Sequence, residues 1–324
     1  MVSSGFFVLN ALAFMSMEGM SVSSYVTVLF YVRLLIENYE VSLVKEKMSL
    51  YRQAIEEIRS KSTGKPQIVQ HEVTINFHPD RYTKEGVPLL ISIAKDKRIK
   101  SQFESGTSNG GLTAFTGGDR WKWEQNVFGG IYDQSIPSQR PKYGALNYKR
   151  FEYGAAPRFG SSYFRLKPEV LERTTFCYPD SFFEPEHFAS HEYMEALINL
   201  AQADDVDDLD AYIEAQIHGE LLLLNDVDAI VLDPIYKGTE VEQQAYDLGV
   251  NVEWHSGYQM TVEMVAKYPD YRGKEFVDLA AEIAINGKIN PRILGNAINL
   301  LGCDEQAIKK VWHYLAKYGY QPDK

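Results

Sequence analysis

The stretch Tyr212–Pro234 reads YIEAQIHGELLLLNDVDAIVLDP, and its two halves carry different patterns. In the first half Tyr212, Glu214, Gln216 and His218 alternate with Ile213, Ala215 and Ile217. Strand side chains have a period of two, so this predicts a strand with one polar and one apolar face. The second half, VDAIVLD, is nearly continuous apolar residue and predicts a buried strand. Asn225-Asp226 between the halves is turn chemistry. A carboxylate, an amide and an imidazole in one row beside the core either face water or face something on which they act.

The chain has 324 residues, 45% hydrophobic and 24% charged, enough for one large domain or two ordinary ones with a sizeable core. Its formal net charge of −11 argues against a general nucleic-acid binder, because phosphate binding rests on clustered Lys and Arg. An acidic surface better suits a basic protein partner. Only Cys177 and Cys303 are present, so a disulfide framework or a CxxC zinc site is excluded, and a reducing compartment is expected. The apolar runs GFFVLNALAFMSM and SVSSYVTVLFYVRLLI lack a basic start, and Glu18 and Arg33 interrupt them. They read as buried helices rather than as a secretory signal or a membrane span of about 20 apolar residues.

From Val41 to Lys61 apolar residues recur at three and four, the mark of an amphipathic helix, and Ser62-Thr63-Gly64-Lys65-Pro66 breaks it. HEVTINF alternates and predicts a strand ending in HPDR. SQFESGTSNGGLTAFTGGDRWKW is rich in turn residues and reads as a long binding loop, without the Walker signature. RPKYGALNY, RFGSSYFRL and RTTFCY read as strands, with a helical turn over Pro168–Arg173 before the last. EPEHFASHEYMEALINLAQA reads as helix, DDVDDLD as an acidic loop and NVEWHSGYQM as strand. From Thr261 onward the pattern is almost all helical. The expected class is α+β, with an antiparallel-rich β core at about 67–258 between helical segments.

Two groups of residues invite a chemical reading. His187 and His191 stand four apart on an expected helix, and with Glu195 they would form a metal-dependent hydrolase site. No HExxH is present, and a solvated helix face explains the pair as well. The second group is spread over several strands: His78 and Arg81, Tyr143, Ser161 and Ser162, then Glu214, Gln216 and His218. Turn chemistry and hydrogen-bonded strand edges would account for each residue singly. Their order is that of the ADP-ribosyltransferase fold, where a first strand carries His or Arg, later strands carry Tyr or Ser, and a last strand carries a Glu.

The blocks TINFHPDR, SQFESGTSNGGLTAFTGGDRWKWE, FGGIYD, RPKYGALN, APRFGSSYFRL and YIEAQIHGEL resemble a bacterial ADP-ribosyltransferase-like family formerly regarded as a domain of unknown function. The family includes an effector that modifies a threonine of ubiquitin. The resemblance runs from about Val73 to His255. It implies a split antiparallel β core over 63–260, flanked by helical regions at 1–62 and 261–324. It implies an NAD-protein ADP-ribosyltransferase that uses NAD as substrate and no metal, with ubiquitin as partner, secreted into the host cell cytoplasm.

By that resemblance Glu214, Gln216 and Glu220 are the catalytic candidates. His78, Arg81, Tyr143, Gly144, Ser161 and Ser162 would bind NAD. Tyr143 would stack on the nicotinamide ring, Ser162 would brace the cleft, and Gln216 would handle the acceptor. The family pattern has Glu or Gln two residues before the catalytic Glu, whereas Gln216 follows Glu214 by two, which leaves Glu214 and Glu220 both open. The helices outside the core would recognise the acceptor without touching the NAD chemistry. A catalytically silent binding protein on the same fold is the remaining alternative.

Overall fold

Alternation in HEVTINF becomes strand β1 (Glu72–Phe77), which buries Val73 and Phe77 in the main core. The computed structural model describes residues 30, 31, 33, 49–68, 70–106 and 111–321. The N-terminal apolar runs read as buried helices lie outside the described residues, apart from three positions. Strands β2 (Lys142–Asn147), β3 (Ser162–Leu166), β4 (Thr174–Tyr178), β5 (His187–Ser190), β6 (Glu214–Ile217), β7 (Val227–Leu232) and β8 (Asn251–Trp254) join β1 in one sheet. Their order is β8-β7-β3-β1-β2-β6-β4-β5. Every neighbouring pair is antiparallel except β7 with β8. The chain is therefore a mixed α+β fold with a central sheet flanked by helices.

The sheet forks at its centre. β1 pairs with β2 only from Glu72↔Asn147 to Thr74↔Ala145. Beyond that point β1 continues against β3 as far as Phe77↔Ser162, and β2 continues against β6 as far as Lys142↔Ile217. Gly144 sits where the two prongs part. A Cβ there would lie 2.6 Å from the Thr74 carbonyl oxygen and 3.1 Å from Ile75 Cγ1, closer than packed side chains come.

Helices cover both faces. Helix α1 (Leu50–Lys61) packs on β5 and β4, placing Ala54 and Ile58 against Trp123, Phe128, Tyr132 and Cys177. Helix α2 (Asp119–Val127) contributes Trp123 and Val127 to the same cluster. The opposite face buries Ile213, Ala215, Ile217, Phe176 and Phe164 under other helices, among them α3 (Met194–Ala203). In the tail, Asn290 caps α4 (Pro291–Asn299) and Asp304 caps α5 (Glu305–Tyr318) by accepting from backbone N–H groups. Ile308, Val311, Trp312 and Leu315 of α5 form the buried stripe that helical spacing produces. Trp312 Nε1 donates to the Pro157 carbonyl at 2.9 Å, which fastens the tail to the sheet.

One expected helix is a strand. His187–Ser190 pairs antiparallel with β4 from Tyr178↔His187 to Thr175↔Ser190. Helix begins only at Met194, where Met194, Leu197 and Ala201 turn inward at helical spacing. Tertiary pairing, with β4 on one side and α1 over it, overrides the local preference.

Two outcomes follow. Gly144→Ala should lower the unfolding free energy by about 1–3 kcal/mol, measured by urea titration, because the added methyl meets backbone at the fork. Acid should also destabilise the protein through His255, which is 6% exposed, donates from Nε2 to the Ser161 carbonyl at 2.7 Å and accepts Gly257 N–H at Nδ1. Burial pushes its pKa from 6.5 down to about 4. Its contribution is full above the unfolded value and is lost as pH falls through the folded one, at most about 3 kcal/mol. Urea midpoints should fall from pH 6.5 to pH 4, and the fall should be shallower in His255→Gln.

Candidate functional site

The fork opens into a cleft of about 660 Å³. Ile75, Asn76, Phe77 and His78 line it from the β1 prong, and Lys142, Tyr143 and Gly144 from the β2 prong. Glu214 forms part of its floor, and Arg81 stands at its wall. His78, Arg81, Tyr143, Gly144 and Glu214, widely separated in sequence, thus share one cavity. Its size is that of a small-molecule or cofactor site.

Register explains the floor. Glu214 lies between Ala145 of β2 and Cys177 of β4, and Gln216 lies between Tyr143 and Thr175. Ala215 points the other way into the main core. The polar stripe therefore faces the cleft side of the sheet, closed behind by α1 and α2.

Glu214 is 5% exposed. Ser181 Oγ donates to its Oε2 at 2.6 Å, and Ser181 N–H reaches the same oxygen at 3.3 Å. Gln216 Nε2 donates to Oε1 at 3.1 Å. Arg120 lies 3.7 Å from Oε1 and donates to Ser181 Oγ at 2.7 Å, so one guanidinium holds the serine that holds the carboxylate. Burial raises the Glu214 pKa above its ordinary value, while Arg120 and the Ser181 hydrogen bond pull it back. Asp180 next to Ser181 accepts from the Tyr212 hydroxyl and caps Phe182 N–H at 2.9 Å, fixing the turn that carries Ser181.

A second buried ion pair supports the floor. Glu124 of α2 is fully buried and accepts from Arg140 at 2.5 Å and from the Tyr143 hydroxyl at 2.6 Å. The Arg120 guanidinium lies 3.9 Å over the Tyr143 ring. One face of the ring expected to stack on nicotinamide thus already carries a cation.

Other expected residues fall elsewhere. Gln216 is fully buried behind Glu214 and holds that carboxylate, which corrects its assignment to the acceptor. Glu220 is exposed beyond the turn at Gly219, whose φ is +75°, and does not line the cleft. Ser161 and Ser162 are fully buried and do not line it either. The Ser161 carbonyl accepts from His255, and Ser162 Oγ accepts Asp233 N–H at 3.3 Å. They brace the β3 end from inside.

His187 stands on strand β5 and His191 on the following turn, so the helical spacing behind the metal reading does not exist. His187 and Glu195 are exposed, and no group of three metal-ligating side chains occurs among the described residues.

The tail takes part in the cleft, contrary to expectation. Asn299 of α4 and Glu305, Gln306 and Lys309 of α5 line it. His78 packs edge-on against Trp312 with ring centroids 5.0 Å apart. Burial, then the charges of Arg81, His313 and Lys309, push the His78 pKa well below 6.5 and keep the imidazole neutral. The lining carries both signs: Arg81, Arg120, Lys142, Arg158 and Lys309 stand with Glu104, Asp180, Glu214 and Glu305, and Arg81 faces Glu305 at 3.8 Å. Arg81 Nη1, Arg120 Nε and Gln102 Oε1 are buried with no hydrogen-bond partner among the described residues, and all three side chains line the cleft.

Arg120, Glu124, Arg140, Asp180 and Ser181 were not singled out by the sequence. Arg120 lies in the stretch that reads as a loop, and Glu124 directly follows it. The signal was present: Gly117-Gly118 followed by Asp119 is a helix start, and Trp123 and Val127 stand four apart on its buried face.

None of the curated proteins compared matches the chain. The family model described as Protein of unknown function (DUF3626) matches residues 72–203 and 186–318, which takes in every strand of the sheet, Glu214, and the two tail helices at the cleft. The tail therefore lies within the family's reach, past the His255 limit of the motif blocks. The chain belongs to the DUF3626 family of proteins of unknown function.

Proposed function

We propose that the chain is an NAD-dependent mono-ADP-ribosyltransferase acting on a protein acceptor, on an ADP-ribosyltransferase-like form of the α+β fold. The observation that carries this reading is the Glu214 carboxylate, buried between Arg120 and Ser181 at the floor of the cleft that Arg81 and Lys309 also line. Cleavage of the bond between nicotinamide and ribose sends its electron pair to nicotinamide and leaves positive charge on the sugar. A fixed carboxylate beside C1′ stabilises that charge, as in glycoside cleavage. The acceptor hydroxyl then bonds to C1′, and its proton passes to the carboxylate.

In this reading Arg81 takes the pyrophosphate, since its planar fork is permanently charged and Nη1 is without a partner among the described residues. His78, neutral and set against Trp312, borders the ribose. The motif resemblance makes a threonine of ubiquitin the acceptor and the protein a secreted bacterial effector. No helix among the described residues is long and apolar enough to cross a membrane.

The test is release of nicotinamide from NAD, with mass spectrometry of modified acceptor. Glu214→Gln should lose roughly 10²–10³ in rate with NAD affinity little changed, because the charge acts as the bond breaks. Glu220→Gln should retain most of the activity. Full turnover by Glu214→Gln would end the assignment. NAD binding without nicotinamide release from the unsubstituted protein would favour a silent binding protein on this fold.

Nicotinamide release should also weaken in Lys309→Ala or Arg81→Ala, mainly through a higher KM for NAD. These side chains line the cleft away from Glu214's hydrogen-bonding partners. An unchanged KM in both variants would remove the anion-binding role of this wall.

A further inference from the structure

Behind Glu214 runs a line of fully or nearly buried polar side chains. Gln216 donates from Nε2 to Glu214 Oε1 at 3.1 Å. Thr175 Oγ1 donates to Gln216 Oε1 at 3.0 Å and lies 2.9 Å from His218 Nε2. His218 Nδ1 lies 2.8 Å from the Tyr132 hydroxyl. Tyr132, Thr175, Gln216 and His218 are each at most 1% exposed.

The proton positions along this line follow from the charge at its end. An ionised carboxylate only accepts, so the amide side of Gln216 must face Glu214. Its carbonyl oxygen then faces Thr175, whose single hydroxyl proton must point to it. Thr175 can therefore only accept from His218, which places the imidazole proton on Nε2. Nδ1 is left bare and takes the Tyr132 proton. Reversing any one member would set the Gln216 carbonyl against the carboxylate at about the same short distance, an unfavourable contact in a low-dielectric interior.

We infer that Tyr132, His218 and Thr175 are positioning residues that lock the Gln216 amide and so hold Glu214 in its anionic, cleft-facing form. This rests on the transferase reading only for its effect on rate; the hydrogen-bond polarity stands on the distances together with an ionised Glu214. The environment fits. His218 is kept neutral, its pKa pushed down to about 3 by burial and by Lys142 and Arg173. The Phe128 ring meets it edge-on at 5.2 Å. Burial, with Glu124 nearby, pushes the Tyr132 pKa up and keeps its proton in place.

Other groups also face Glu214. Arg120 comes from α2, Cys177 from β4, Asp180 and Ser181 from the following turn, Tyr143 from β2, and Tyr212 from just before β6. Arg120 and Ser181 favour the anion from the front; Gln216 is the donor from behind.

Two measurements test the inference. Nitrogen-15 NMR of histidine-labelled full-length protein should show His218 as a neutral Nε2–H tautomer at pH 7 and still at pH 5, assigned through the change in Tyr132→Phe. The second is the pH profile of nicotinamide release. Thr175→Val should move its acid limb upward by about one pH unit with the KM for NAD unchanged and rate recovering at higher pH, and Thr175→Ser should restore the original limb.

An Nδ1–H tautomer or an imidazolium at pH 7 would overturn the inference even if NAD is consumed. Loss of rate in Thr175→Val by the same factor at every pH would overturn it as well. If NAD is not turned over at all, an Nε2–H His218 would uphold the hydrogen-bond line while the transferase reading fails.

Discussion

A carboxylate taken out of water is the constraint around which the cleft is built. Leaving Glu214 buried and unpartnered would cost several kcal/mol, so the fold must bring it a cation and hydrogen-bond donors. They come from three places in the chain: Arg120 on α2, Ser181 after β4, and Gln216 on the same strand. Arg120 and Ser181 can converge only if α2 lies across the sheet face and β4 runs beside β6. The second pair, Glu124 with Arg140, ties α2 to the segment just before β2 and so keeps Arg120 in place. Partial satisfaction would be worse than an apolar floor, which explains why the whole set occurs together.

The fork complements this burial. A continuous sheet would bury Glu214 from every side. Because β1 and β2 part after Thr74 and Ala145, one edge of the carboxylate's surroundings stays open to the cleft. Gly144 is the residue that permits the two backbones to touch and then separate.

Much of the sheet was legible because side-chain alternation is a local property. β1, β2, β3, β4 and the β6–β7 pair each announced themselves by pattern, and the helical tail by its spacing. β5 was not legible, since a short run such as HFAS becomes a strand only when β4 offers its edge. α2 hid behind glycines that suggested a loop. Of the site, Glu214 was visible as a polar residue in a core strand. Arg120 and Ser181 were not, because what makes them matter is a distance across the fold and no periodicity encodes that. Ser161 and Ser162 show the complementary limit: a polar pair at a strand entrance looks the same whether it lines a cleft or is buried against neighbouring backbone.

The edge-on seat of His78 against Trp312 joins an early strand to the last helix of the described chain. A ribosome makes β1 long before it makes α5, at about 5–20 residues per second. For tens of seconds the β1 prong therefore exists without its tail wall, and Trp312, Lys309 and the hydrogen bond to Pro157 arrive only after the rest of the sheet has been made. The cleft therefore closes after its floor is made: a nascent chain can carry the complete carboxylate strand and still lack an enclosed chamber in which to use it.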